Sequence, residues 1–214
     1  MPSDLGSRVS DFDPPVPPGW LARLLLATTA LLLAQLILGA TMRHQHAGLA
    51  IPDFPLAYGK LWPAMDAEAV AHYNQQRLEV MAANPITAVQ IGLQMVHRLL
   101  AILILGAVAF CAWSSRRRLG GRNPISRLTL GWLGLVLAQV ALGADTIWSN
   151  KAADIATVHV FTGALSLALG AILCIVYSQA PVLARPGVEV SSQASEVLSP
   201  ASFGPRPAAA PGLK

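Results

Sequence analysis

Four long apolar stretches alternate with polar segments along the chain. They cover about 20–42, 86–113, 128–147 and 153–177. A helix needs roughly 20 apolar residues to cross about 30 Å of hydrocarbon, and each stretch supplies about that number. Consecutive spans must run in opposite directions. The pattern therefore predicts an all-α integral membrane protein, an up-down-up-down bundle of four transmembrane helices that occupies residues 20–178.

The polar segments outside these helices differ in length. A long loop at about 43–85 follows the first helix, and we expect a charged helical piece within it at about 66–81. Loops of this length usually carry function. Residues 1–19 and 179–214 are rich in proline and have no periodic apolar face. We expect both ends of the chain to be disordered and cytoplasmic.

The composition supports membrane insertion and argues against a zinc site, a disulfide framework and nucleic-acid binding. Of the 214 residues, 54% are hydrophobic and 12% are charged, and the mean hydropathy is +0.52. Cys111 and Cys174 lie in apolar runs without zinc or disulfide spacing, so we interpret both as packing residues. The net charge of +4 does not indicate nucleic-acid binding, because the basic residues flank apolar runs, where they determine topology.

The distribution of Lys and Arg predicts the orientation. One side carries Arg8, Arg23, Arg116, Arg117, Arg118, Arg122, Arg127, Arg185, Arg206 and Lys214, and the other carries Arg43, Lys60, Arg77 and Lys151. By the positive-inside rule, both termini and the middle connection face the cytoplasm. The long loop then faces outward, as in a multi-pass protein of a bacterial-type inner membrane.

The segment QMVHRLLAILI, from Gln94 to Ile104, places His97 and Arg98 inside an apolar helix. An ionisable side chain at membrane depth costs a few kcal/mol or more, so it usually faces a bundle interior and marks a functional site. The alternative is that both side chains reach the membrane interface.

A short internal repeat contains a second histidine. The phrase that begins at Gln35 and includes Gly39 recurs in the third helix from Gln139 to Ala144, and Val96-His97 recurs as Val158-His159. Chance duplication in apolar sequence is the competing explanation. The recurrence of polar positions favours a duplicated site.

The two histidines suggest a haem site. His97 and His159 lie on parallel, diagonal helices of the predicted bundle, where two imidazoles could ligate a haem iron from opposite faces. The alternative is a pair of histidines hydrogen-bonded to helical Ser, Thr or Gln. Copper is disfavoured because no Met or Cys accompanies them, and two histidines are too few for zinc.

Neighbouring residues fit a cofactor without requiring one. Gly39, Gly143 and Gly163 would let a porphyrin approach closely, although small residues also serve ordinary helix packing. Arg98 could pair with a haem propionate, or it could extend to lipid headgroups.

Polar residues of the long loop have weaker candidate roles. His44 and His46 could bind a transient metal or haem, but exposed loop histidines are usually solvated. Asp53 lies between two prolines and is expected to fix a turn. We assign no role to His72.

Three segments resemble the haem A synthase family. The run from Gly39 to Gly59, GATMRHQHAGLAIPDFPLAYG, is similar to the family's first outer loop, approximately RxTGSGLxCPDWPxCxG. QMVHRLLA resembles its helix-two histidine motif, and QVALGA followed by TVHVFTGALSLA resembles its next helix pair. The resemblance spans roughly residues 26–177.

The resemblance implies a membrane enzyme that converts haem O to haem A by oxidising a methyl group, in support of cytochrome oxidase assembly. Family members usually have eight helices in two similar halves, one for substrate haem and one for haem b. By this resemblance, His97 and His159 would be the axial pair of one half.

Three departures from the family qualify these expectations. Ile51 and Ala57 occupy the places of the loop cysteines, so no thiol redox role remains. Gln94 replaces a glutamate three residues before the first histidine, and an amide cannot serve as a carboxylate acid or base. No catalytic residue is assigned, and the site looks more like the haem b half. With four helices, a two-site enzyme would need a homodimer or a second half.

Three functional classes remain open on the sequence. The first is a haem A synthase-type protein with a bound haem, expected to be b-type, and haem O or haem A as substrate or product. The second is a non-catalytic b-type cytochrome or haem-handling assembly factor, and the third is a structural membrane protein. Expected partners are lipid, haem, and haem O synthase or oxidase assembly proteins.

Overall fold

The protein consists of long helices joined by one long and two short connections. In this computed structural model, residues 18–76, 85–150 and 152–183 are described, and within them an isolated bridge between Ala57 and Lys60 is the only β-type pairing. The helices are α1 (Gly19–His44), α2 (Ala67–Gln76), α3 (Ala88–Leu119), α4 (Pro124–Trp148) and α5 (Ala153–Leu183), with a short 3-10 turn at Ala47–Leu49. By length and composition, α1, α3, α4 and the segment Ala153–Gln179 could cross a membrane.

Local sequence determines where α3 and α4 begin. Thr87 and Gln90 form a capping box, in which the Thr87 hydroxyl oxygen accepts the Gln90 backbone N–H and the Gln90 side-chain oxygen Oε1 accepts the Thr87 backbone N–H. Asn123 caps α4 by accepting the Ile125 N–H at 2.9 Å, and Pro124 occupies the first helical position.

Three helix ends differ from the sequence predictions. α3 continues beyond 113 to Leu119, since Arg is a good helix former. The residue that follows the helix, Gly120, has a positive φ of 81°. α4 begins at Pro124 rather than about 128, and α5 continues beyond 177 to Leu183, so residues 179–183 are helical. The other predicted disorder lies in 1–17 and 184–214, and part of the loop helix in 77–84, all outside the described residues.

The four long helices form a square bundle. α1 packs against α3 and α5, and α4 packs against the same two helices, so α1 lies diagonal to α4 and α3 lies diagonal to α5. The predicted all-α membrane bundle is confirmed. One end of the bundle, here the loop end, carries the described residues 45–76 and 85–87 and the turn at 149–150. The opposite end, here the basic end, carries the connection between α3 and α4.

The internal repeat extends through the core. Aligning Gln35 with Gln139 and His97 with His159 superimposes buried positions on buried positions. The matched pairs are Leu21 with Ile125, Leu25 with Thr129, Thr28 with Trp132, Leu32 with Val136, Ile104 with Ser166, Val108 with Gly170, Cys111 with Leu173, and Ser115 with Tyr177. Because both sets point inward, each helix pair presents an equivalent face to the bundle centre.

The long loop forms a small apolar core with the start of α3. The loop contributes Ala50, Ile51, Ala57, Tyr73 and Ile86, and α3 contributes Ile91 and Met95. α2 is attached by Asn74, whose side chain exchanges two hydrogen bonds with the Ile86 backbone at 2.8 and 3.0 Å. The Tyr58 and Tyr73 rings are stacked, which joins α2 to the turn at 57–60. The loop is therefore a folded cap rather than a loose connection.

Candidate functional site

His97 on α3 packs against a polar unit of α1. The Gln35 side-chain amide donates to the His97 carbonyl oxygen at 3.0 Å. One turn further along α1, a Cβ at Gly39 would lie 3.5 Å from His97 Cε1, so the imidazole contacts the α1 backbone where glycine leaves room. Gln35 and Gly39 are four residues apart and share one face of α1. This face therefore determines where the His97 imidazole can lie.

The second histidine has the same environment in the second helix pair. The Gln139 amide on α4 donates to the His159 carbonyl oxygen on α5 at 2.7 Å. A Cβ at Gly143 would lie 3.4 Å from His159 Cε1. The phrase repeated in the sequence thus builds the same three-residue unit twice, here called the Gln–Gly–His unit. One unit joins α1 to α3 and the other joins α4 to α5.

The two units place their histidines across the bundle. α3 and α5 are diagonal, so the two histidines lie on helices at opposite corners of the bundle. His97 Nδ1 and His159 Nδ1 are both buried and have no hydrogen-bond partner among the described residues. Buried polar atoms without partners are rare in folded proteins. These two nitrogens are available to a bound group.

The donor set fits a haem iron better than a metal ion held by protein alone. Within the described ranges, no three His, Cys, Asp or Glu side chains gather where they could hold a metal ion. Haem iron needs only two axial ligands from the protein. Two histidines on diagonal helices, each beside a glycine, match that requirement.

A polar stripe on α3 holds the loop. Gln90, Gln94 and Arg98 are spaced one turn apart and lie on one face of the helix. Gln90 Nε2 donates to the Gln45 carbonyl oxygen at 2.6 Å, and Arg98 Nη1 and Nη2 donate to the carbonyl oxygens of Leu56 and Asp53 at 2.8 and 2.7 Å. The stripe therefore carries the loop down to the level of His97.

Gln94 is the buried centre of this stripe. Its side chain is 2% exposed, and its Oε1 accepts the Ile51 N–H at 2.7 Å. Its Nε2 donates to the carbonyl oxygens of Gly48 and Ile51 at 3.4 and 3.3 Å. A carboxylate could replace the acceptor but not the donor, so these contacts use the amide as such. This structural role of Gln94 was not predicted from the sequence.

Arg98 is committed to the loop through both terminal nitrogens. Its guanidinium carbon also lies 5.6 Å from the Phe54 ring centroid, a cation–π distance, and Phe54 meets Trp148 of α4 edge-on at 6.1 Å. Arg98 Nε is buried and has no hydrogen-bond partner in the part of the chain that the structure describes. The loop thus bridges α3 and α4 above the histidines. Only the N–H groups of Arg98 that do not bind loop carbonyl oxygens remain for the predicted contact with a haem propionate.

The other predicted residues lie apart from the histidine pair. His44, His46 and His72 are exposed, and His72 Nε2 lies 3.0 Å from the Gln76 amide nitrogen. Asp53 accepts the backbone N–H groups of Tyr58 and Gly59 at 2.7 and 2.9 Å. Both of those residues have positive φ, so Asp53 stabilises a tight turn, as expected.

Gly163 and the loop positions without cysteine take part in packing. A Cβ at Gly163 would lie 2.9 Å from Leu36 Cδ2, so this glycine serves close contact between α5 and α1. Ile51 and Ala57, which replace the family's loop cysteines, are 0% and 1% exposed in one apolar cluster. Apolar packing therefore joins these two places of the loop.

Outside the spanning helices, one carboxyl group has a perturbed acidity. Asp66 accepts the Ala69 N–H at 2.9 Å at the start of α2. This hydrogen bond to the carboxylate lowers the pKa of Asp66 below its ordinary value of 3.8.

The fold and the paired histidines define a class, a four-helix membrane protein with a duplicated Gln–Gly–His unit. The family model described as cytochrome oxidase assembly protein matches residues 8–171. The chain therefore belongs to the cytochrome oxidase assembly protein family, which is the haem A synthase family, and the predicted resemblance is confirmed. No curated protein and no solved structure gave a match. Membership supports a role in cytochrome oxidase assembly and haem A biosynthesis.

Proposed function

We propose that the chain binds one haem between His97 and His159 and serves haem A biosynthesis in cytochrome oxidase assembly. The observation that carries the proposal is the duplicated Gln–Gly–His unit on diagonal helices, with an unpartnered buried Nδ1 at each histidine. Family membership supplies the haem-related context.

The chain's own residues would fix the ring positions before any haem binds. Each glutamine holds a histidine carbonyl, and each glycine leaves space beside an imidazole. His97 and His159 would hold the haem, which would then supply one-electron transfer. A b-type haem, which needs no covalent attachment, agrees with the lack of a CxxCH segment in the sequence.

Gln94 favours a non-catalytic b-type cytochrome or haem-handling factor as the second candidate function. Its amide makes three hydrogen bonds to the loop backbone, and it has no acidic proton to exchange. Under this alternative, oxidation of haem O would take place in a second copy or in a separate four-helix half.

The proposed location follows from charge. The arginines at the basic end favour a cytoplasmic position for that end, with the loop end outside a bacterial-type inner membrane. The loop would then cover the histidine pair from the outer side.

A visible spectrum of the purified protein tests haem binding. Expression with haem supply should give a Soret band and sharp α and β bands on reduction, as expected for low-spin iron. A preparation without a Soret band, under conditions in which a known b-type cytochrome is loaded, would refute the proposal.

Identification of the extracted haem separates the two candidate functions. Cells that make haem O should be compared with and without this chain, and the haems identified by mass. Haem A that appears only with the chain supports the synthase activity. Haem b in the purified protein, without haem A in the cells, supports the second candidate.

A further inference from the structure

A ridge of exposed aromatic rings runs along the membrane-facing side of α1 and α3 at the basic end. Trp20, Phe110 and Trp113 are 38%, 46% and 55% exposed. The Trp20 and Phe110 ring centroids lie 6.0 Å apart, and those of Phe110 and Trp113 lie 5.6 Å apart. Tryptophan is favoured where hydrocarbon meets headgroups, so the ridge marks that depth.

Two arginines lie over the ends of this ridge. The Arg118 guanidinium carbon is 5.3 Å from the Trp20 ring centroid, and that of Arg117 is 5.5 Å from the Trp113 centroid. Both arginines are exposed, and neither forms a hydrogen bond with another described residue. A guanidinium stacked on a ring keeps its in-plane N–H donors, which match phosphate oxygens. Both guanidinium groups are therefore positioned by the indole rings, and their N–H donors are available to bind a phosphate.

Charge at this end is not balanced among the described residues. Arg23, Arg116, Arg117, Arg118, Arg122 and Arg127 lie there, whereas the carboxylates Asp53, Asp66, Glu68, Asp145 and Asp154 all lie in or beside the loop end. A bound group at the ridge would therefore be negatively charged above and apolar below, because Phe110 and Trp113 continue toward the hydrocarbon.

We propose that Arg117 and Arg118, oriented by Trp113 and Trp20, bind the phosphate of an anionic phospholipid whose acyl chain lies along the aromatic ridge. Zwitterionic lipids carry the same phosphate, but their cationic headgroup would meet the surrounding arginines. Basic pockets beside membrane helices commonly recognise anionic headgroups in this way. The site lies at the opposite end of the bundle from the histidines and does not depend on haem.

Lipid titration of the full-length protein in mild detergent tests the site. Native mass spectrometry would measure binding of short-chain phosphatidylglycerol, short-chain phosphatidylcholine and inorganic phosphate. Phosphatidylglycerol should bind more tightly than phosphatidylcholine. Equal binding of the two lipids would overturn the proposal. Displacement of phosphatidylglycerol by equimolar inorganic phosphate would show a free-phosphate site instead and would also overturn it.

Charge-matched variants distinguish the site from general basicity. The double variant R117Q/R118Q should lose roughly fivefold in phosphatidylglycerol affinity for each arginine removed. R122Q/R127Q removes the same charge at the same end without an aromatic contact, and its affinity should stay within about twofold of the parent protein. Equal losses in the two double variants would overturn the proposal.

A second pair of variants keeps the charge. R117K/R118K retains two cations but lacks the planar fork, so its phosphatidylglycerol affinity should fall between that of the parent and that of R117Q/R118Q. Circular dichroism checks the helicity of each variant, and the lysine variant decides if the glutamine variant does not fold. Parent-like affinity in R117K/R118K would show that the stacked geometry is irrelevant and would overturn the proposal.

Discussion

The two helix pairs carry the same Gln–Gly–His unit but cover it differently. α1 and α3 are joined by a folded loop, whereas α4 and α5 are joined by a tight turn at residues 149–152. The loop is held by the α3 stripe of Gln90, Gln94 and Arg98, and aligned positions 152, 156 and 160 in the second pair are Ala, Ala and Val. The histidine environment is thus shared by the two helix pairs, whereas the folded loop above it belongs to the first pair alone.

The same comparison shows how a duplicated core can diverge. Thr28 and Val108 of the first pair align with Trp132 and Gly170 of the second, and all four are buried. Where the first pair has two medium-sized residues, the second pair has one large residue, Trp132, and one glycine, Gly170. Interiors are close-packed, so an increase at one position requires space at another.

Gly170→Ala should produce the largest loss of stability, because a Cβ there would lie 2.8 Å from Thr29 Oγ1 and 2.9 Å from Trp132 Cζ2. Overpacking of this kind costs about 1–3 kcal/mol. Detergent denaturation measures it. Gly106→Ala is the matched control, since no atom lies within 4 Å of its added Cβ. Equal stability of the two variants would contradict the packing described for the second pair.

Gln94→Ala should release the loop of the first pair and leave the second pair intact. Loss of the buried amide leaves the Ile51 N–H unpaired, which costs about 1–3 kcal/mol. Hydrogen exchange of the Ile51 amide should then accelerate roughly ten- to hundredfold.

Gln94→Glu is the isosteric control for that change, because it keeps the acceptor for Ile51 and loses the donor to Gly48. It should give an intermediate exchange rate. Unchanged exchange in Gln94→Ala would show that this residue does not hold the loop.

Gln35→Leu and Gln139→Leu should each weaken the bundle by about 1 kcal/mol, since each removes one hydrogen bond to a histidine carbonyl. The effects should be similar in size and additive in the double variant, because the bonds join different helix pairs. Detergent denaturation measures all three variants. A large effect of one substitution and none of the other would break the equivalence of the halves.

The smallest expected effect concerns Asp66 at the start of α2, which has no counterpart in the second pair. Its folded pKa lies below 3.8, so the stabilisation of α2 is present above that value and is lost as the pH falls through the folded pKa. Hydrogen exchange of the Ala69 amide should therefore increase only at strongly acidic pH. In Asp66→Asn this pH dependence should disappear, and its persistence would show that another group is responsible.

Sequence alone could predict the features that depend on periodicity. Run length gave the four helices, and the repeated phrase gave two histidines on diagonal helices. It could not show that Gln94 and Arg98 hold loop carbonyl oxygens, because such contacts depend on how the loop folds. A spacing of four residues from Gln90 to Gln94 to Arg98 was the available signal for that face. The end of α3 was predicted too early, at about 113, because the apolar run ends there, whereas the helix continues through the polar residues to Leu119.

We propose that each helix pair contributes one histidine to a single haem. Electron paramagnetic resonance of the oxidised protein, compared with His97→Ala and His159→Ala, tests it most directly. We expect a low-spin signal from the parent protein and a high-spin signal of similar size from each variant, since either change removes one of two ligands. A low-spin signal that persists in either variant would contradict the claim.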